Sequence, residues 1–189
     1  MRLFSVFSEL AELVWQKKTI TLILFALGLI GFLCGIFIPQ KTVVEHYFIA
    51  SGQNYIVLIF SSSCSLLRLF FRRAFSLFFF FASGLLVSLS GKLFPVHVFF
   101  LLLKSYFFGC LFSAICKEYS FHGFFVLILS AVPSELLFGV FFVARGVSCL
   151  YDRFSFSRSA LTLGIPLIAS ALWETLIAAL LFRPLNFIG

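Results

Sequence analysis

A chain of 189 residues with 62% hydrophobic and 11% charged side chains has too little polar surface to cover a soluble globule, in which about a quarter of residues are charged. The composition excludes a soluble domain and predicts an integral membrane protein whose 30 phenylalanines supply lipid-facing and interhelical surface. The net charge of +7 does not point to nucleic acid, because the basic residues gather at the ends of apolar runs, where helix flanks meet anionic headgroups.

Residues 1–17 place Leu3, Phe4, Phe7, Leu10, Ala11 and Val14 on one side of a helix and Ser5, Ser8, Glu9, Glu12 and Gln16 on the other. That spacing predicts an amphipathic helix lying in the membrane interface. The first apolar run, 20–38, follows Lys17 and Lys18 but is too long for a signal-peptide core and has no A-x-A site after it, so it is expected to stay attached as a signal anchor. Within it Gly31 and Gly35 form a G-x-x-x-G face that lets another helix approach closely and is expected to pack within the chain.

Residues 39–54 are the most polar of the chain and predict a sizeable loop. The stretch 55–71 is apolar at its ends and serine-rich in the middle, and it stops at Arg72 and Arg73 with no room for a turn before the next run. It is therefore expected to lie at the surface, or to enter partway, and to lead continuously into span two, 74–90, which carries Gly84 and Ser88. Span three, 95–116, carries Gly109 and Ser113 as a third small-residue face. A turn at 117–120 leads to span four, 123–143, where Pro133 removes a backbone donor and predicts a kink that frees the carbonyl of Leu129. Span five, 161–182, completes an all-α polytopic fold of five crossings in a single membrane domain, 1–189. Basic residues divide almost equally between the two sides, so the positive-inside rule does not choose an orientation.

Three ionisable groups fall near mid-span, each where a charge costs on the order of 3 kcal/mol to insert. They are Lys104 in span three, Glu135 in span four and Glu174 in span five. One lysine cannot neutralise two carboxylates, so Lys104 is expected to pair with one glutamate while the other is protonated or accepts hydrogen bonds from Ser or Thr. The cluster serves either as an interhelical clamp or as an ion or proton path of a small transporter. The clamp is preferred, because no repeat of the five-span unit and no paired interrupted helices are evident in the sequence.

No catalytic, metal or cofactor residues are expected. The F-A-S-G at 81–84 lacks the first glycine of a serine-protease context, His97 and His122 fall at span ends, Asp152 is the only aspartate, and neither H-E-x-x-H nor a glycine-rich phosphate loop occurs. Cys34, Cys64, Cys110, Cys116 and Cys149 contain no C-x-x-C pair and read as small apolar residues.

The segment LLLKSYFFGCLFSAICKEYSFHGFFVLILSAVPSELLF resembles the stage II sporulation protein M family. The likeness lies in Lys104 a few residues before Gly109, Gly123 opening the next span, and the patch Pro133, Ser134 and Glu135. The tail ALWETLIAALLFRPLNFIG is similar in its mid-helix Glu174 and the later Pro184. Leu66, Leu67, Arg72 and Arg73 stand where the family's pattern has asparagines before span two, and the loop after span one is short. The resemblance implies a non-enzymatic scaffold of the sporulation engulfment machinery in the mother-cell septal membrane, recruiting two peptidoglycan-degrading partners, stage II sporulation proteins D and P. The faces at Gly31, Gly35, Gly84 and Gly109 are then expected to seat partner spans, so that bulky replacements release a partner without unfolding the chain.

Overall fold

The computed structural model describes residues 3–37, 43–60, 66–87, 89–151 and 156–185, and no strand occurs among them. The helices are α1 Leu3–Gln16, α2 Lys18–Phe37, α3 Val43–Phe60, α4 Leu66–Val87, α5 Phe94–Leu129, α6 Ala131–Tyr151 and α7 Phe156–Ile177. A π-turn, Ala178–Phe182, and a last turn, Arg183–Leu185, follow α7. Five stretches are long and apolar enough to cross a membrane: Lys18–Phe37, Leu66–Val87, Gly91–Leu129, Ala131–Tyr151 and Arg158–Phe182. The chain is an all-α polytopic membrane protein.

Neighbouring residues fix the helix directions. Gly28 and Gly35 of α2 meet Ser105 and Tyr106 of α5 in rising order, so these helices run parallel. The pairs His97 with Phe142 and Lys104 with Glu135 set α6 antiparallel to α5. Gly84 against Leu163 and Arg73 against Glu174 set α4 antiparallel to α7.

Two larger apolar clusters form most of the core, with a smaller one of Phe48, Cys110 and Ala114 beside them. One, with Leu24, Leu77, Leu101, Phe142 and Leu163, lies toward the α1 end. The other, with Tyr55, Ile59, Leu69, Ile115, Val126 and Phe182, lies toward the opposite end. The apolar side of α1 seats on the bundle: Leu10 is buried, the Phe7 ring meets Phe141 edge-on at 5.5 Å, and Glu9 pairs with Arg158 at 3.2 Å.

Four sequence expectations need correction. Much of the expected 39–54 loop is helical, because Phe48, Gly52, Tyr55, Ile56 and Ile59 make a buried stripe at helical spacing while Gln53 and Asn54 face outward. The stretch 55–71 is divided between α3 and α4, residues 61–65 lying outside the described residues, and the helix of span two begins at Leu66 rather than 74. Span four is in two pieces: the chain reverses at Ser120 (φ 49, ψ −129), runs back along α5 over 121–129 with Phe124 6.0 Å from Phe112, and breaks at Ser130 before α6. A positive φ at a non-glycine residue costs about 1–3 kcal/mol. The break falls three residues before Pro133, and the Leu129 carbonyl accepts the Trp173 indole N–H at 3.1 Å.

The fourth correction concerns the small-residue faces. A Cβ on Gly35 would collide with the backbone carbonyl of Tyr106, one on Gly109 with that of Phe32, and one on Gly31 would lie 2.9 Å from that of Leu102. Gly84 faces Leu163 and Phe142. All four are filled from within the chain, so they hold the bundle together and leave no seat there for a partner span. Ser113 is half-buried on α5 and Ser88 lies outside the described residues. Of the cysteines, Cys110 is buried and Cys34, Cys116 and Cys149 are half-buried free thiols; Cys64 lies outside the described residues.

Candidate functional site

Between the two apolar clusters, four helices each present one charge. Leu69, Arg73 and Leu77 stand one turn apart on the buried side of α4; Lys104 follows Leu101 on α5. Glu135 lies between Ala131 and Phe138 on α6, and Glu174 between Ala171 and Ala178 near the end of α7. The structure thus brings together Lys104, Glu135 and Glu174, and adds Arg73, which the sequence places among the external flanking charges.

Lys104 Nζ donates to Glu135 Oε2 and lies 5.5 Å from the centre of the Phe138 ring. Arg73 bridges the two carboxylates: its Nη2 is 2.8 Å from Glu135 Oε1 and its Nε is 3.0 Å from Glu174 Oε1. The same Nη2 donates to Ser134 Oγ at 2.9 Å, and the Ser134 hydroxyl lies 2.6 Å from Glu174 Oε1, to which it donates. Ser170 Oγ donates to the Ser134 carbonyl at 2.9 Å, tying α7 to the first turn of α6. Above the break, Tyr55 and Ser130 share a hydroxyl hydrogen bond of 2.9 Å.

Two basic and two acidic side chains balance in formal charge. That balance removes the mismatch of one lysine against two glutamates. It also supplies the pairing under which buried charges persist, although Glu174 Oε2 is buried without a hydrogen-bond partner.

Burial is uneven. Glu174 is 1% exposed, whereas the Lys104 and Glu135 side chains, 9% and 13% exposed, form the floor of a lateral groove between α2, α5 and α6 of about 330 Å³. Gly28 and Gly139 keep the groove open, since a Cβ on Gly139 would meet nothing within 4 Å.

Among the described residues no histidine joins the cluster. His97 is buried nearer the α1 end, where its Nε2 hydrogen-bonds the Phe142 carbonyl at 2.9 Å and its ring stacks on Phe142. Arg145, wholly buried on α6, donates to Ser148 Oγ at 3.2 Å. Among the described residues no group of three His, Cys, Asp or Glu side chains is placed to hold a metal ion. The arrangement can bind helices to one another and hold a fixed pattern of charge.

Replacing Lys104 with Met is expected to lower the midpoint of thermal unfolding in detergent and the amount of protein in the membrane. The loss should fall below the roughly 3–5 kcal/mol of a fully broken buried pair, because Arg73 still serves Glu135. Unchanged stability and abundance would remove Lys104 from the clamp.

These features define a multi-pass helical membrane protein locked between its two larger apolar clusters by a charge-balanced cluster. No protein-family model, curated protein or solved structure matches the chain.

Proposed function

We propose that the chain is a non-catalytic membrane scaffold of the sporulation engulfment machinery, holding the peptidoglycan hydrolases stage II sporulation proteins D and P at the mother-cell septal membrane. The observation that carries this reading is that the four charges of the cluster pair with one another and with Ser134, which suits a rigid body better than a reaction centre. The resemblance of the 101–138 segment and of the tail to the stage II sporulation protein M family supplies the biological setting. A scaffold of this kind raises the local concentration of enzymes that act on the wall.

Affinity purification of the full chain from detergent-solubilised membranes tests the proposal. Cell-wall hydrolases in the eluate, with none of their activity in the purified chain alone, are the expected result. Their absence, or hydrolysis of peptidoglycan by the chain alone, would sink it.

A second reading, a small transporter or permease subunit, is favoured by irregularities in the helices that carry the charges. These are the break at Ser130, the π-turn after Glu174 and Pro166 inside α7, and such irregular turns recur at functional sites. Solute flux into liposomes, or an ATPase subunit in the eluate, would favour transport over scaffolding.

A further inference from the structure

We propose that the cleft where α3 meets α4 binds an anionic phospholipid, its phosphate held by Arg68 and Arg72 and a tail lying over the phenylalanines of α4. Arg68 and Arg72 stand one turn apart on α4, so their guanidinium groups open to the same side. Arg72 is fixed there by donating Nη2 to the Ser51 carbonyl at 3.2 Å. Among the described residues neither arginine pairs with a carboxylate, in contrast to Arg73, which bridges two.

The cleft above them, about 590 Å³, is bounded on the α3 side by Tyr47, Ser51 and Asn54. These side chains carry hydroxyl and amide groups able to meet the remaining headgroup oxygens. The same two arginines also form the upper edge of an open trough lined by Phe71, Phe75 and Phe78 of α4 and Leu167 of α7. All three phenylalanines are more than half exposed.

The polar edge of α3, the paired cations of α4 and the apolar trough therefore follow one another along one side of α4. That is the order of groups in an amphiphile with an anionic head. Guanidinium forks match phosphate oxygens bidentately, and the anionic amphiphiles a bilayer offers are its acidic phospholipids. A free phosphate would engage the arginines and leave the trough unused. This inference does not depend on the scaffold reading.

Thermal unfolding and native mass spectrometry of the delipidated full chain in neutral detergent provide the test, with phosphatidylglycerol, phosphatidylcholine and inorganic phosphate as separate additions. Phosphatidylglycerol is expected to raise the unfolding midpoint and remain bound as a single copy, with phosphatidylcholine and inorganic phosphate each having little effect. Arg68 is exposed and holds no described hydrogen bond, so Arg68→Gln should keep the lipid-free midpoint and weaken phosphatidylglycerol binding about tenfold, the worth of one charge-assisted contact. Equal stabilisation by phosphatidylcholine, the same effect from inorganic phosphate alone, or wild-type lipid affinity in Arg68→Gln would each overturn the proposal.

Discussion

Replacing Arg73 with Met is expected to be the most damaging single change in the cluster, costing about 3–5 kcal/mol or preventing accumulation altogether. The substitution keeps the bulk and the apolar stem but removes the one group that touches both carboxylates. Glu135 retains Lys104, whereas Glu174, 1% exposed, retains only the Ser134 hydroxyl. A buried carboxylate with one neutral donor is what a low-dielectric interior tolerates least.

The double replacement Arg73→Met with Glu174→Gln makes the cluster neutral again around Lys104 and Glu135. It should therefore be more stable than Arg73→Met alone, with a coupling of roughly 0.5–3 kcal/mol in the cycle. Arg73→Lys should fall between, since a point charge on a flexible stem cannot reach both glutamates as a planar fork does. Thermal unfolding in detergent together with elution as a single species measures wild type, Arg73→Met, Glu174→Gln, the double variant and Arg73→Lys. A single mutant as stable as wild type would show that the bridge does not hold the bundle.

The same residues show how far the sequence can be read. Lys104, Glu135 and Glu174 stand out because each is the lone Asp, Glu, Lys or Arg in an apolar run, and insertion cost alone flags them. Arg73 carries an identical argument but sits beside Arg72 near a run's edge, where cations are ordinary flanks. The only local signal is its place on the stripe Leu69, Arg73, Leu77, and that stripe shows only if the helix is taken to start at Leu66.

The α3 helix is hidden in a similar way. Gln53 and Asn54, which face outward, make the stretch read as loop although the buried positions keep helical spacing. Pro133 announces a disturbed helix and a free Leu129 carbonyl. It does not announce that Ser130 takes the break or that Trp173 takes the carbonyl. The π-turn after Glu174 has no sequence signature that we can name.

Gly35→Leu and Gly109→Leu are expected to separate α2 from α5 and collapse the bundle, whether or not a partner is present. A small-residue motif states that a helix approaches closely, and only the packing states which one. Here it is α5 on α2, the most extensive helix contact among the described residues. The atoms a side chain would strike are the backbone carbonyls of Tyr106 and Phe32. Backbone cannot rotate aside as a side chain can, so the cost should exceed the roughly 1–3 kcal/mol of ordinary overpacking.

Gly84→Ala provides a graded comparison, because the atom it meets first is Leu163 Cδ1, the movable end of a flexible side chain. It should cost less than either α2–α5 variant. Gly139→Ala should be neutral or gain up to about 1 kcal/mol, since nothing lies within 4 Å and alanine favours the helix. The two roles available to these glycines then separate cleanly by unfolding midpoint. Internal packing requires the midpoint to fall in the order Gly139→Ala, Gly84→Ala, Gly35→Leu, whereas a partner seat at Gly35 would leave the isolated protein's midpoint at the wild-type value and lose only the co-purifying protein.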